Sequence, residues 1–187
     1  RLPDLEQSKA GVAITLAATL LYFLHLHGEP IGLEILAGES SKMLSAKPRS
    51  GRNQLQRLFM GLAGARPGGT AQLRDALTRV GNRVRRRSLV MVITDGMEEP
   101  VEWLGTLGAF AKRRSDLRLF HLWDAREWSL AFGQPAMFYS PENGDALAVD
   151  PIAARDAFAD VAREYVEEVQ SGVKRWGGRY LPTRTDQ

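Results

Sequence analysis

The chain contains no cysteine and only three histidines among its 187 residues. The lack of cysteine excludes disulfides, thiolate metal sites and a cysteine nucleophile. The scattered histidines, His25, His27 and His121, do not favour a zinc site built from several of them. The sequence also has no Gly-x-Ser-x-Gly nucleophile turn and no Gly-x-x-x-x-Gly-Lys phosphate loop. Nothing therefore supports a serine hydrolase or a P-loop nucleotide-binding protein.

Long apolar runs are scarce as well, and the stretch from Gly11 to Leu26 is the one that resembles a membrane span. It is shorter than the roughly 20 residues that cross a bilayer, and an all-round apolar helix is also typical of a core helix covering a sheet. We therefore expect a core helix, a cytoplasmic location, and membrane contact only through segments outside this chain. No signal peptide is visible, and because Arg1 is not a natural start, we expect an upstream segment.

The composition is that of a globular protein, with 44% hydrophobic and 25% charged residues. The length predicts one domain over residues 1–187 with a sizeable core. The formal net charge of +3 is mildly basic. Because lysine and arginine are spread over many segments, this charge is poor support for nucleic-acid binding.

Helical and strand patterns alternate along the chain, which predicts an α/β fold with a mainly parallel sheet. Five consecutive apolar residues, Leu89 to Ile93, are typical of a strand buried on both faces. We expect this strand to be central, with the strand from Leu117 to Trp123 beside it. Asp95 then stands where the central strand ends, and Gly96 allows a sharp turn.

The remaining elements follow from apolar spacing and turn residues. Ile31 to Ala37 is a strand candidate, and the polar segment from Glu39 to Arg52 is predicted to be an exposed connection. Residues 135–139 and 146–149 flank an Asn-Gly turn and predict a hairpin. Asp150-Pro151 is a typical helix start, before a long amphipathic segment that ends at Gly177-Gly178.

Thr70 and Asp95 are the candidate site residues. Thr70 follows Gly68-Gly69 at the start of a helical segment, and Asp95 follows the predicted central strand. Ligands of open α/β sheets bind outside the carboxyl ends of the strands, and hard oxygen ligands suit magnesium. The alternatives are that Thr70 only caps its helix and that Asp95 only closes its turn.

Two further functions stay open at this point. Asp124, Glu127, Glu98 and Glu99 add carboxylates to the same rim, which allows a magnesium-dependent phosphoryl-transfer or hydrolytic enzyme using Asp95, Asp124 and Glu98. No general base or nucleophile can be named for such an enzyme. The segment from Arg79 to Arg87 forms a basic edge that allows nucleic-acid binding. It lacks interleaved aromatic residues, so a solvated or partner-facing edge is favoured.

The order and spacing of several short motifs resemble the bacterial domain-of-unknown-function family fifty-eight, a branch of the von Willebrand factor A-like domains. The motifs are distributed over nearly the whole chain. They include Lys9-Ala10, Gly32-Leu33, Pro48 to Arg52, Gly69-Thr70, Arg86 to Val90, Thr94-Asp95, Asp124 to Glu127, Glu142 to Asp145, Val149-Asp150, Arg155 and Tyr165.

The resemblance implies a three-layer, Rossmann-like domain with a metal-ion-dependent adhesion site. In the wider fold that site consists of an Asp-x-Ser-x-Ser turn, a threonine in a second loop and an aspartate after the central strand. Thr70 corresponds to the second element and Asp95 to the third. The first element is absent, so the resemblance implies a domain trimmed at both ends. We expect magnesium only in a longer protein and no cofactor in this chain.

The resemblance also implies a non-enzymatic protein-interaction module with a degenerate or truncated adhesion site. Members of the family are encoded beside AAA+ ATPases of the MoxR type, so the expected partner is such an ATPase, in a chaperone-like role during the maturation of other complexes. The partner and the role are implied by the resemblance alone.

Overall fold

A computed structural model describes residues 8–36, 44–65, 72–124, 136–139, 146–149 and 151–185. The chain divides into two compact units. Unit 1 comprises Arg1–Arg83, and unit 2 comprises Val84–Gln187. The prediction of a single domain over residues 1–187 stays a prediction.

The described residues of unit 1 form three helices and a two-stranded antiparallel sheet. Its elements are α1 (Lys9–Leu26), β1 (Ile31–Glu34), β2 (Ser45–Arg49), α2 (Arg52–Gly64) and α3 (Leu73–Arg83).

Strand β2 corrects the prediction that Glu39 to Arg52 is an exposed connection throughout. Ser45–Arg49 pairs antiparallel with β1, and only Ala46 of this strand is buried. Its polar, exposed residues and Pro48 concealed the strand pattern, because proline donates no ladder hydrogen bond and is tolerated only near a sheet edge. The neighbouring strand candidate, Ile31 to Ala37, is confirmed over Ile31–Glu34.

Apolar side chains from α1, α2 and both strands form the core of unit 1. The buried members are Leu21, Ile31, Ala46, Leu55, Leu58 and Leu62. The leucines of α2 are spaced three and four residues apart, so they lie on one face of the helix. Phe59, beside that face, is 36% exposed. Burial of this stripe holds α2 against the sheet.

Helix α1 buries only part of its surface, contrary to the expectation of a core helix. Ile14, Ala17 and Leu21 face the core of unit 1, whereas Tyr22 and Phe23 are 50% and 56% exposed. The helix has 18 residues and is long and apolar enough to cross a membrane. The side chain of Ser8 caps its amino end by accepting from the Gly11 amide at 3.1 Å.

Gln54 is a buried polar side chain that joins the two strands of unit 1. Its Nε2 donates to the Ile31 carbonyl at 2.9 Å and to the Lys47 carbonyl at 3.0 Å. Both donor hydrogens of the amide are therefore satisfied. This one side chain therefore links α2 to both β1 and β2. Its loss would be costly, because it would leave the two carbonyls without a donor.

Gln54→Leu is expected to lower the free energy of unfolding by about 1–3 kcal/mol, since it leaves two strand carbonyls without their donor. The measurement is the urea midpoint. Gln56→Leu is the matched control, because Gln56 is exposed on the same helix. Equal midpoint shifts in the two variants would contradict the role of Gln54.

Unit 2 contains a three-stranded parallel sheet, a separate hairpin and a set of helices. Its elements are β3 (Leu89–Thr94), α4 (Pro100–Trp103), a 3-10 helix (Leu104–Leu107), α5 (Gly108–Lys112), β4 (Asp116–Trp123), β5 (Ala136–Tyr139), β6 (Ala146–Val149), α6 (Pro151–Arg175) and β7 (Arg179–Arg184). The predicted parallel sheet and the predicted hairpin of β5 and β6 are confirmed.

The order of the parallel strands is β3, β4, β7, so the predicted central position of Leu89 to Ile93 is wrong. Within the described ranges, β4 has a neighbour on both sides, and β3 pairs with β4 alone. Leu89 is 43% exposed, while Val90 and Val92 are buried. A continuous apolar run thus lies at the side of this sheet, because the sequence pattern does not show how many neighbours a strand has.

The core of unit 2 lies between the sheet and the helices. Trp103, Leu107 and Phe110 are fully buried. On the sheet, Leu117 and Leu119 are buried at alternate positions of β4, as expected where every second side chain faces one side. Val169 and Val173 of α6 complete the core, and α6 packs against β7, the 3-10 helix and α4.

Candidate functional site

Asp95 lies in a turn at the carboxyl edge of the parallel sheet of unit 2. It follows the last residue of β3, and its side chain is exposed. The hydroxyl oxygen of Thr94 accepts a hydrogen bond from the Gly96 amide at 3.1 Å, which fixes the start of the turn. The position expected for Asp95 from the sequence, directly after a parallel strand, is confirmed.

Gly96 is required by both conformation and space. Its φ is +67°, in the left-handed region that favours glycine. A Cβ at this position would lie 2.8 Å from Nε2 of His121 and 2.8 Å from the hydroxyl of Tyr165. The backbone of the turn therefore packs directly on these two side chains.

His121 lies beneath the turn and is 3% exposed. Its Nε2 is 3.3 Å from the Asp95 carbonyl oxygen, and its Nδ1 is 2.6 Å from the Tyr180 hydroxyl. A carbonyl can only accept, so Nε2 carries the proton and Nδ1 accepts from Tyr180. His121 is thus a buried, hydrogen-bonded histidine of the sheet.

Tyr165 reaches the same turn from α6. Its hydroxyl donates to the Gly96 carbonyl and lies 3.3 Å from the Glu98 carbonyl oxygen. Burial, and secondarily the charge of Asp95, raises the pKa of Tyr165 well above its usual range. The phenol therefore stays protonated and keeps its donor hydrogen. We call Tyr165, His121 and Tyr180 the turn support.

Sequence reasoning did not identify Tyr165 and Tyr180 as parts of this site. Tyr165 and Gly96 are 69 residues apart, and Tyr180 and His121 are 59 residues apart. Nothing in the local pattern of α6 distinguishes a tyrosine that supports a turn from one that fills the core. The resemblance did include Tyr165 among its motifs, which was the one signal available.

The structure places the other candidate residues separately. Glu98 and Asp124 are partly buried near the same edge, and Glu99 is exposed. Thr70 and Glu127 lie outside the described residues, so the predicted proximity of Thr70 to Asp95 stays a prediction. Among the described residues, no group of three or more histidine, aspartate or glutamate side chains is gathered to hold a metal.

A magnesium ion, which the resemblance implies, would find one side-chain oxygen ligand of the expected set in the described part of the chain, Asp95. Magnesium is bound through carboxylates plus further oxygen ligands in octahedral geometry. The described donor set therefore does not by itself make up such a site.

In the structure, the predicted basic edge from Arg79 to Arg87 is split between unit 1 and unit 2. In unit 1, Arg79 Nε lies 2.7 Å and Arg83 Nη1 lies 3.5 Å from the carboxylate of Glu34, whose side chain is 10% exposed. These two arginines join α3 to β1. Arg85, Arg86 and Arg87 belong to unit 2 and are exposed.

Gly96→Ala is expected to destabilise unit 2, because the new methyl group would meet His121 and Tyr165 and because alanine disfavours positive φ. The measurement is the urea midpoint together with the chemical shifts of His121. Gly105→Ala is the matched control, since nothing lies within 4 Å of a Cβ built there. An unchanged midpoint for Gly96→Ala would contradict the close packing.

The turn support is also expected to make stability fall at alkaline pH. Burial raises the pKa of Tyr180 to about 12, whereas an unfolded chain ionises tyrosine near pH 10. The folded state therefore binds more protons, and its stabilisation is complete below about pH 10 and is lost as the pH rises through about 12. Urea midpoints near pH 9 and pH 11.5 test this: Tyr180→Phe should weaken the decline, while the exposed control Tyr22→Phe should not. An equal decline in both variants would contradict it.

Comparison with solved structures gives matches that have low sequence identity and cover most of this chain. A conserved hypothetical protein BatB from Bacteroides thetaiotaomicron is 12% identical with a TM-score of 0.55, covering 94% of this chain and 80% of its own. An aerotolerance-related membrane protein from Bacteroides fragilis, carrying multiple mutations to serines, is 13% identical with a TM-score of 0.50, covering 92% and 82%. An uncharacterized membrane spanning protein from Vibrio fischeri is 10% identical with a TM-score of 0.27, covering 91% and 76%.

The expectation of a cytoplasmic location is contradicted by these comparisons. The Bacteroides fragilis neighbour is described as an aerotolerance-related membrane protein, and α1 of this chain is itself long and apolar enough to cross a membrane. The earlier expectation depended on the length of the apolar run from Gly11 to Leu26, but the helix extends over Lys9–Leu26.

No curated protein matches the chain. A family model does, over residues 4–168, and that range includes β3, the Asp95 turn, His121 and Tyr165. The chain belongs to the family described as protein of unknown function DUF58.

Proposed function

We propose that the chain is a non-enzymatic protein-interaction module and that the Asp95 turn is its contact site. The observation that carries the proposal is the combination of an exposed carboxylate with exposed apolar neighbours on a rigidly held backbone. Met97 is 68% exposed and Val101 is 79% exposed. Exposed apolar side chains beside a fixed charge are typical of a surface that contacts another protein.

The turn support makes this surface suitable for binding. Hydrogen bonds from His121 and Tyr165 hold the carbonyls of Asp95 and Gly96 from beneath, so little conformational freedom remains to be lost when a partner binds. The Asp95 side chain points out of this support and is exposed. A partner with a cationic group beside an apolar patch would complement it.

The von Willebrand factor A-like architecture and the partner are parts of the same proposal. The resemblance supports a three-layer arrangement and an AAA+ ATPase of the MoxR type as the partner, with a chaperone-like role in the maturation of other complexes. In such an arrangement Thr70 would join Asp95 at one rim. Magnesium, where the longer protein supplies further oxygen ligands, would add a bound charge at this rim.

A location at a membrane is proposed as well. The description of the Bacteroides fragilis neighbour as a membrane protein supports it, and so does the apolar surface that α1 leaves exposed, including Leu26, which is 64% exposed. The proposal for the Asp95 turn does not depend on this location.

Asp95→Ala is expected to weaken binding of the full-length protein to its MoxR-type ATPase at least tenfold, because a charge at the centre of the contact is lost. Surface-immobilised ATPase and soluble protein give the affinity. Glu102→Ala is the matched control, since Glu102 is exposed on the adjacent α4.

Calorimetry of the full-length protein then separates the metal from the contact. If Thr70 and Asp95 are ligands, magnesium binding should disappear in Asp95→Ala and persist in Glu102→Ala. Unchanged ATPase affinity in Asp95→Ala, in a variant with an unchanged urea midpoint, would overturn the proposed contact site.

A further inference from the structure

Cations precede every strand of the parallel sheet in unit 2. Arg85–Arg87 precede β3, Lys112–Arg114 precede β4, and Lys174, Arg175 and Arg179 lie at the start of β7. Because the strands are parallel, these segments lie at one edge of the sheet, opposite the Asp95 turn. We call this set of residues the basic rim.

The segments of the basic rim are adjacent in space. The amide of Arg87 donates to the Arg113 carbonyl at 3.0 Å, and the amide of Asp116 donates to the Ser88 carbonyl at 2.9 Å. On the other side of β4, Arg118 is in register with Arg179 of β7. The rim therefore extends across all three strands, over about 10 Å at ordinary strand spacing.

The basic rim contains little compensating negative charge. Asp116 lies beside it, but its carboxylate is paired with Arg118 at 2.8 Å, and this hydrogen bond lowers the pKa of Asp116. Ion pairs seen among the described residues of unit 2 include Arg118 with Asp116 and Arg163 with Asp160, and the charge of Arg179 contributes a smaller lowering of the pKa of Asp116. Neither ion pair includes a residue of the basic rim.

Backbone conformation supplies a second, independent observation. Arg87, Arg114 and Gly177 each stand two residues before a strand, with φ of 60°, 52° and 74°. Glycine is the residue that this left-handed geometry favours. A non-glycine residue costs of order 1 kcal/mol there, so two of the three turns have arginine at a conformational cost. A conformational cost that remains in the folded protein indicates that the charge of these two arginines has a function.

We propose that the basic rim binds an anionic lipid surface. The proposal goes beyond the contact at the Asp95 turn and does not rest on it. Clusters of four to eight lysine and arginine residues typically bind anionic membranes, at about a fivefold gain in affinity for each cation near the surface. Apart from Arg113, which is partly buried and donates to the Ala109 carbonyl at 3.1 Å, the cations of the rim are exposed across the width of the sheet, which suits an extended layer of charged headgroups.

The surroundings favour lipid over a single phosphate ligand. Helices α5 and α6 both end at this edge, at Lys112 and Arg175. Their carboxyl ends present carbonyl oxygens, whereas a phosphate pocket is built from the amide groups of a helix amino end. The side chains therefore supply the attraction, as expected for diffuse binding to a charged surface.

The surroundings also favour lipid over nucleic acid. Trp176, the aromatic residue next to Arg175, is partly buried against Gly108, where a Cβ would lie 3.1 Å from the indole. Its ring is engaged in the core and is poorly placed to stack on a base, which is how single-stranded nucleic acid is commonly bound.

The test compares Arg87→Gly/Arg114→Gly with the matched control Arg155→Gln/Arg163→Gln, which removes two exposed arginines from α6. Vesicles of phosphatidylcholine with about 30% phosphatidylserine are the probe, and neutral vesicles report any insertion of α1. The rim variant should bind the anionic vesicles about 30-fold more weakly, with a urea midpoint that is unchanged or higher. The control should lose less than threefold.

Equal losses in the two variants would overturn the proposal, because the loss would then reflect net charge alone. A lower urea midpoint in the rim variant would contradict the argument from backbone conformation. Binding of the unsubstituted chain that is equal on neutral and anionic vesicles would also overturn it. Tighter binding to a short DNA or RNA duplex than to the anionic vesicles, at the same salt, would assign the rim to nucleic acid instead.

Discussion

The hydrogen bond between the Tyr165 hydroxyl and the Gly96 carbonyl connects the last long helix of unit 2 to the turn after β3. With His121 beneath the Asp95 carbonyl, it fixes the backbone at the edge where α/β proteins bind their ligands. Glycine at position 96 follows from this constraint, because a side chain would occupy the space of both supporting groups. The exposed Asp95 carboxylate therefore stands on a turn whose backbone is held by hydrogen bonds.

Two edges of one sheet have opposite character. At the carboxyl edge, a carboxylate stands beside exposed apolar side chains, and the supporting phenols are partly buried and protonated. At the amino edge, arginines and lysines precede each strand, and glycine stands at the left-handed position of only one entry turn. Because strand direction separates the two edges, the two proposed contacts lie at opposite ends of the strands.

The sequence allowed much of the local structure to be predicted. The strand from Leu117 to Trp123, the hairpin of residues 135–139 and 146–149, and the Asp150-Pro151 helix start all indicated elements that the structure contains. Strand β2 was missed because Pro48 and exposed polar residues conceal its pattern. The position of β3 was wrong because the number of neighbours depends on β7, a strand of mixed composition that lies far away in the chain.

Of the residues at this site, only Asp95 could be predicted from the local sequence pattern. Asp95 could be found because it directly follows an apolar strand, whereas Tyr165 and Tyr180 reach it through tertiary contacts that no local pattern encodes. The cations at Lys112–Arg114 lie at the carboxyl end of a helix, a place that favours cations in any protein. They lie beside Arg85–Arg87 in one rim only because β3 and β4 pair in parallel, and the sequence alone does not show that pairing.

Amide hydrogen exchange of the full-length protein, with and without the proposed partner, a MoxR-type ATPase, tests the central claim most directly. The Asp95 turn and the start of α4, residues 94–101, should gain protection when the ATPase is added, because a partner that docks on Asp95, Met97 and Val101 must cover their backbone. The buried segment from Leu117 to Leu122 should show no change. Protection elsewhere in the protein, with unchanged exchange over residues 94–101, would contradict the account.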